Sequence, residues 1–377
     1  MSRLSTPAPT SSSPATILPN PYSPTIISTD FKAQADDFIV QEQMVIDFSE
    51  DGEHLWLHLQ KTHLNTAYVA KLLSKWAEVA THDVSYSGLK DRHALTSQWF
   101  SVRLPKKIAP EKDFTDFAKN WLNAGEKITL LDQHWHNKKL QRGTHKVNHF
   151  TITLRNVVGD TSAIDSQLEQ IKANGVPNYF GEQRFGRDDN NINTALEFFA
   201  TGRIDGRKPH PKFNRDKISL YLSAARSELF NAVLAKRVEL GVWNTPLHVT
   251  EEVFNLAGTN SIFTVDNQNE STEILQRLSN HDIHLTAPMW GAGELASRGE
   301  VAELENSVIN HNDQYQDKYQ QLATGLVTQG LKQQRRATRL LPQNMAWRWL
   351  ENADLELQFD LASGSFATSI IAMLMQS

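Results

Sequence analysis

Several short stretches alternate apolar and polar side chains at a period of two, which constrains this chain more than any other feature. His54-Leu-Trp-Leu-His-Leu59 sets Leu55, Leu57 and Leu59 on one face. Val84 and Tyr86 alternate in the same way, as do Phe100, Val102 and Leu104, then Phe150, Ile152 and Leu154, and much later Leu355, Leu357 and Phe359. Alternation of this kind marks strands with a buried face. Between the first two, Asn65 reads as a helix N-cap. The helix after it places Val69, Leu72, Leu73, Trp76, Ala77 and Ala80 on one stripe, suited to packing on a sheet. The expected class is α+β.

The connection between the strands at 84–86 and 98–104 holds an unusual group. Gly88 is followed by Asp91, which stands between Lys90 and Arg92. Alone, a Lys-Asp-Arg cluster is most simply a solvated turn. A carboxylate on a short connection between strands is also held by the sheet while staying open to a ligand. Both readings stand at this point.

The rest of the chain falls into order around that core. Residues 1–24 are rich in Ser, Thr and Pro and read as a flexible tail without the form of a secretory signal. Gly175-Val-Pro-Asn-Tyr-Phe-Gly-Glu-Gln-Arg-Phe-Gly186 combines glycines and a proline with three aromatics, as a structured loop at a domain junction would. Residues 187–217 read as polar loop. A helix is expected from about Ser219 to Leu240, stopped by Gly241. Short strands around 248–265, a helix around 271–278 and a polar helix over 312–338 complete a second α+β unit. Strand pattern returns from Trp347, and an apolar helix ends the chain near 366–375. An α+β core interrupted by a second domain fits this order.

Composition removes whole classes of function. The 377 residues include no cysteine, so disulfides, thiolate metal sites and cysteine nucleophiles are excluded. No apolar run approaches the ~20 residues of a membrane helix. Gly291-Ala-Gly-Glu294 lacks the spacing of a dinucleotide or P-loop cradle, so no nucleotide cofactor is expected. His134/His136 and His145/His149 have spacings a metal could use but no matching acidic ligand, and no metal is expected. They read instead as phosphate contacts or loop residues. Net charge is −5, yet residues 133–159 and 331–350 contain Lys and Arg but no Asp or Glu. Segregated positive charge of this kind suits a polyanion such as RNA.

A lone aspartate in basic and aromatic company suits the isomerisation of uridine to pseudouridine. That reaction breaks the N1–C1′ bond, turns the uracil and rejoins it through C5, with no metal, redox step or nucleotide. A carboxylate either attacks C1′ or removes the C2′ proton, and for either task it must be ionised. The target base in a structured RNA has to be extruded, and aromatic rings then replace its stacking.

The sequence resembles one family along nearly all its length. Gly88-Leu-Lys-Asp-Arg-His-Ala-Leu-Thr-Ser-Gln98 is similar to the catalytic motif of the TruD family of tRNA pseudouridine synthases. Asp37-Phe-Ile-Val-Gln-Glu42, Asn148-His-Phe150, Pro177 to Gly186, Leu222-Ser-Ala-Ala-Arg226 and Gly364-Ser-Phe-Ala-Thr-Ser369 match further family motifs, in the family's order. The resemblance implies a tRNA isomerase acting on uridine 13, with Asp91 as catalytic aspartate and Lys32 as its paired lysine. It implies that Phe38, Asn148, Phe150 and Phe366 line the uridine pocket, although Phe38 and Phe366 also read as core residues. Phe150 stands where other pseudouridine synthases have a tyrosine, which argues against an obligatory phenolic base. Asn148 would bind the target or hold the Asp91 loop; Arg184 would meet a backbone phosphate or brace a hinge. The implied fold is a circularly permuted pseudouridine-synthase core over 25–175 and 341–377, with an inserted TRUD domain over 176–340. The tRNA would lie in the cleft between them, lined by the two basic strips. A cytoplasmic monomer without cofactor is expected. The alternative is a module that binds or remodels tRNA with little catalysis.

Overall fold

In the computed structural model, residues 18–186, 189–204, 206–209, 214–310 and 316–376 are described. The first part of the chain gives strands β1 (Ile26–Phe31), β2 (Phe38–Gln43) and β3 (His54–Thr62), helix α1 (Thr66–Trp76), then β4 (Val84–Tyr86) and β5 (Leu95–Arg103). Helix α2 (Phe114–Ala118), β6 (Lys127–His136), the long β7 (Val147–Gly159) and α3 (Thr161–Asn174) come after them. These strands join β14 (Gln343–Trp349) and β15 (Leu355–Ala362) from the far end of the sequence. Together they make a nine-stranded sheet with the order β14-β15-β7-β2-β5-β3-β6, β1 pairing with β7 and β4 with β5. All its pairs are antiparallel except β2 with β5.

Between α3 and β14 the chain leaves this sheet. It forms β8 (Val176–Pro177), α4 (Asn190–Thr201), α5 (Arg215–Glu239), β9 (Phe254–Leu256), β10 (Ile262–Phe263), α6 (Ser271–Ser279) and β11 (Ile283–Met289). Helices α7 (Gly299–Asn310) and α8 (Gln316–Thr328) come next, then β12 (Gln334–Ala337) and β13 (Arg339–Leu340); α9 (Thr368–Leu374) closes the chain. A small sheet runs β10-β9-β11-β12. Outgoing β8 and returning β13 pair antiparallel, so the two crossings are hydrogen-bonded to each other. Gly175 permits this approach: its φ is +75°, and a Cβ there would meet the Leu340 carbonyl at 2.5 Å.

The alternating leucines of β3 bury against α1 as expected, and Phe100, Val102 and Trp76 complete that layer. A larger apolar cluster holds Phe38, Phe150, Ile152, Leu357 and Phe359 of the large sheet. It continues without a break into Phe180, Phe230 and Val233.

Several sequence expectations shift. Helix α1 stops at Trp76; Ala77 is its C-cap and Ala80 is exposed. Asn65 occupies the N-cap but makes no side-chain capping bond. The stretch read as polar loop contains α4, whose Ile192, Ala195 and Phe198 form a short buried stripe that the surrounding polar residues obscured. The expected helix over 312–338 is α8 alone, ended near Gly330, after which Gln334–Ala337 pairs with β11. Residues 1–17 lie outside the described residues. Residues 18–24, grouped with the flexible tail, are tied down: Leu18 packs on the core and Asn20 Nδ2 donates to the Met373 carbonyl at 2.9 Å. Among the described residues no helix is long and apolar enough to cross a membrane.

Candidate active site

The connection from β4 to β5 is held from three sides. The Lys90 amide donates to Thr66 Oγ1 at the start of α1 (3.0 Å), and that hydroxyl bonds Gln98 Oε1 (3.0 Å). Gln98 Nε2 donates in turn to the Gly88 carbonyl (3.0 Å). From β3, Lys61 Nζ donates to the carbonyls of Leu64 (2.7 Å) and Asp91 (3.0 Å). The backbone of Asp91 is therefore fixed by groups that do not touch its carboxylate.

The carboxylate has its own partners. Asp91 Oδ2 accepts from Lys32 Nζ at 2.6 Å, and Oδ1 accepts from the His93 amide at 3.0 Å. Both charged side chains are about a quarter exposed, so the pair can meet a ligand. Burial alone would raise the Asp91 pKa. The Lys32 bond, the His93 amide and the charges of Lys32 and His93 outweigh it and hold the group below the ordinary carboxylate range.

Lys32 reaches this position through an uncommon backbone. Its φ is +57°, a region non-glycine residues seldom occupy, and such strain collects at functional sites. The segment between Lys32 and β2 is anchored by Asp37, fully buried. Asp37 accepts from the Gln34 amide (2.8 Å) and pairs with Arg155 (2.6 Å). The Lys32 ammonium lies 3.9 Å from the Phe38 ring centroid, so one face of that ring supports the cation. Phe38 meets Phe150 edge-on at 6.0 Å, and Phe150 stacks on Phe359 at 5.6 Å.

Asn148 and Lys90 meet at 2.7 Å between Oδ1 and Nζ. Lys90 lies in a buried cluster: its ammonium is 3.1 Å from Glu42 Oε2 and 3.4 Å from His145 Nε2. Burial lowers the Lys90 pKa and raises that of Glu42, each charge opposing the shift of the other. His145 is pushed down to about 4 by burial and by the charges of Lys90 and Lys146, so it is neutral near pH 7. Arg92 turns away, donating to the His63 carbonyl (3.0 Å) and approaching Glu126 (3.7 Å). The two cations flanking Asp91 in sequence are thus used elsewhere; Lys32 and Lys61 serve it instead.

Phe366 lies just past β15, packed against Phe180 at 6.5 Å. Arg184 places its Cζ 5.9 Å from the Phe366 ring and 5.3 Å from Phe180, and donates to Ser223 Oγ of α5 at 3.0 Å. It therefore links the end of the large-sheet unit to the helices beyond the junction loop.

The two basic strips differ. Lys138, Lys139, Arg142 and Lys146 are exposed, as a polyanion surface requires. In the second strip Arg335 is sealed on Glu305 at 2.7 Å, Arg339 is buried, and Arg348 pairs with Glu356 at 2.9 Å. Trp347 and Trp349 both donate to Asp165. Arg335 and Arg339 are internal bracing, while Lys332 and Arg348 remain exposed. Three of the four histidines in the two sequence pairs are engaged within the protein: His134 lies between Glu50 and Asp132, His145 is buried, and His149 bonds Asp360 at 2.6 Å. Among the described residues no three His, Asp or Glu side chains are grouped to hold a metal.

Lys61 is a site residue that the sequence motifs do not single out. It continues the Leu55, Leu57, Leu59 register, so a cation was set on the buried face of β3.

Comparison with known proteins gives a single answer. The family model described as tRNA pseudouridine synthase D (TruD) matches residues 23–196 and 205–373. A tRNA pseudouridine synthase D of Psychrobacter arcticus is 44% identical over 386 residues, covering 95% of this chain and 93% of that protein. One from Xanthomonas campestris pv. campestris strain B100 is 44% identical over 359 residues, covering 94% and 93%. The crystal structure of the putative tRNA pseudouridine synthase D from Methanosarcina mazei shares the fold, with a TM-score of 0.67 at 20% identity, covering 95% of this chain and 96% of that one.

Proposed function

The chain belongs to the TruD family of tRNA pseudouridine synthases, and from that premise we propose that it isomerises uridine 13 of tRNA with Asp91 as the catalytic carboxylate. The observation that carries this reading is the 2.6 Å contact between Lys32 Nζ and Asp91 Oδ2, made across a gap of 59 residues. A cation there keeps the carboxylate ionised, as either attack on C1′ or removal of the C2′ proton requires. The reaction breaks N1–C1′ and forms C5–C1′; the C5 proton is released and N1 regains one, so atoms balance without a cofactor.

Phe38 and Phe150 supply apolar walls near the pair, and Phe366 a further ring on the junction side. Asn148 offers its amide nitrogen to the base while Lys90 holds its oxygen. The exposed lysines and arginine of residues 138–146 suit the phosphates of a tRNA, which would reach the site as a flipped nucleotide. Residues 25–175 with 341–377 act as the catalytic unit, and 176–340 as an inserted TRUD domain. The pairing of β8 with β13 at the two crossings supports that division. We assign the enzyme to the cytoplasm as a monomer.

The test is pseudouridine mapping of tRNA from cells with and without the gene, repeated with purified enzyme and unmodified transcripts. Loss of pseudouridine at position 13 alone is expected. An unchanged position 13 with loss elsewhere would reassign the target. Tight tRNA binding without isomerisation would favour a binding or remodelling module.

A further inference from the structure

Two guanidinium groups share one aromatic ring where the junction loop meets α5. Arg336 places its Cζ 4.2 Å from the Phe180 centroid and 5.7 Å from Phe230. Arg184 stands 5.3 Å from the same Phe180 ring. Their hydrogen-bond partners are neutral: Arg336 donates to Asn178 Oδ1 at 2.7 Å and Arg184 to Ser223 Oγ at 3.0 Å. Three residues past Ser223, Arg226 reaches only the Met289 and Lys332 carbonyls and Gln334 Oε1. Among the described residues no carboxylate pairs with any of the three.

Two other buried arginines do have a carboxylate. Arg237 is sealed against Glu252 at 2.6 Å, and Arg335 against Glu305 at 2.7 Å. Arg339 meets the Leu278 carbonyl at 3.2 Å, near the negative end of α6. At Arg184 and Arg336, among the described residues, neither a carboxylate nor a helix end faces the guanidinium; burial and the charge of Arg184 push Arg336 down to about 10, as burial does Arg339. Like charges taken out of water without a counter-ion are costly unless an anion completes the site.

The geometry suits a phosphate. A guanidinium stacked on a ring keeps its N–H groups in the plane of its edge, where each can donate to a phosphate oxygen. The Nε atoms of both arginines are sealed without a partner. Arg184 Nη2 and Arg336 Nη1 make no hydrogen bond to the described protein, so they are the nitrogens left for a ligand. Arg184 also lies 5.9 Å from the Phe366 ring.

We infer that Arg184 and Arg336 together form an anion subsite that grips one backbone phosphodiester of the tRNA beside the extruded nucleotide. This rests on the function proposed above. It assigns Arg184 to the ligand, with its contact to Ser223 as the orienting bond.

The test measures binding of an unmodified tRNA transcript against salt concentration for the full-length wild type, Arg184→Met, Arg336→Met, the double variant and Arg336→Lys. Each Met variant is expected to weaken binding at least about tenfold and to lower the log–log salt slope by about 0.9. The double variant lowers the slope no further, because one phosphate is shared; Arg336→Lys keeps the slope. Melting without RNA separates a ligand role from a brace. Removing an uncompensated charge leaves the melting temperature of the Met variants unchanged or higher. Inorganic phosphate raises the melting temperature of the wild type but not of the double variant. Unchanged salt slopes together with lowered melting temperatures would overturn the inference and make these arginines braces. Should a Met variant not fold, the wild-type phosphate response and Arg336→Lys decide. If the wild type forms no pseudouridine and binds no tRNA, the proposed function fails, while the phosphate melt still reports on the subsite.

Discussion

Lys90 gives its ammonium to Asn148 Oδ1 at 2.7 Å and not to Asp91, its neighbour in sequence. Because a lysine can only donate, this contact fixes the amide: the oxygen faces inward and the nitrogen is left for the pocket. Glu42, with no exposed side-chain surface, holds Lys90 from behind at 3.1 Å. Lys90→Met strands that carboxylate and is expected to cost about 3 kcal/mol of stability. Adding Glu42→Gln removes the stranded charge and should recover most of it. Turnover should stay low in both, since Asn148 has lost its orienting donor in each. Urea unfolding beside single-turnover rates checks this; turnover that returns with stability would show that Lys90 only supports the fold.

Asp91→Asn keeps the size and the His93 amide contact but removes the charge. Affinity for tRNA is expected to change by no more than a few fold while pseudouridine formation drops below detection. Measurable turnover near the wild-type rate would remove Asp91 from the chemistry.

Lys32→Met has a distinct pH signature. Burial raises the Asp91 pKa, and the Lys32 bond is the largest effect lowering it. With that bond gone the folded pKa rises, so the acid limb of the rate profile moves to higher pH, and part of the lost rate returns as pH increases. Lys32→Arg keeps the limb in place. A Lys32→Met profile merely scaled down, with no shift, would mean that the lysine acts on something other than Asp91 ionisation.

The large sheet was legible because period-two alternation is a local signal with a physical cause: one face buries, the other does not. The Lys32–Asp91 contact was reached only through family resemblance, since no local pattern joins positions 59 residues apart. Charge counted along the chain points the wrong way. Lys90 and Arg92 look like the surroundings of Asp91 until Glu42 and Glu126 arrive from elsewhere. Arg335 looks like free surface until Glu305 does the same. An ion pair is a tertiary fact; an acid-free strip in sequence limits only local neighbours. Lys61 was the opposite case, its buried register visible in β3.

Gly88 is a point of close approach. A Cβ at this position would meet His145 Cε1 at 2.7 Å. That ring cannot easily yield, because Ser87 Oγ bonds Nδ1 at 2.5 Å and Ser363 Oγ bonds Nε2 at 3.0 Å. Gly88→Ala is expected to cost about 1–3 kcal/mol and to displace the loop that carries Asp91. The rate constant should fall by more than tRNA affinity does, in single-turnover and binding assays respectively. Equal falls in both would place the damage in global folding.

Lys61 gives the clearest linkage prediction. Burial lowers its pKa to about 8, Asp91 opposing the shift and Lys90 adding to it. In the unfolded chain the group titrates at ~10.4. Between these values the unfolded state holds the extra proton, so this group makes stability rise with pH. Below the window both states are charged and the cost of burying the ammonium is fully present; above it both are neutral and that cost is gone. Urea unfolding of wild type and Lys61→Met on either side of the window isolates the effect, because the other lysines cancel in the difference. Wild type should gain on the variant as pH rises through the window. A constant difference would mean that the ammonium is solvated and that Asp91 owes its position to the carbonyl contacts alone. The amine keeps two N–H groups for the Leu64 and Asp91 carbonyls after it loses its charge, so the loop is expected to hold its shape across the same range.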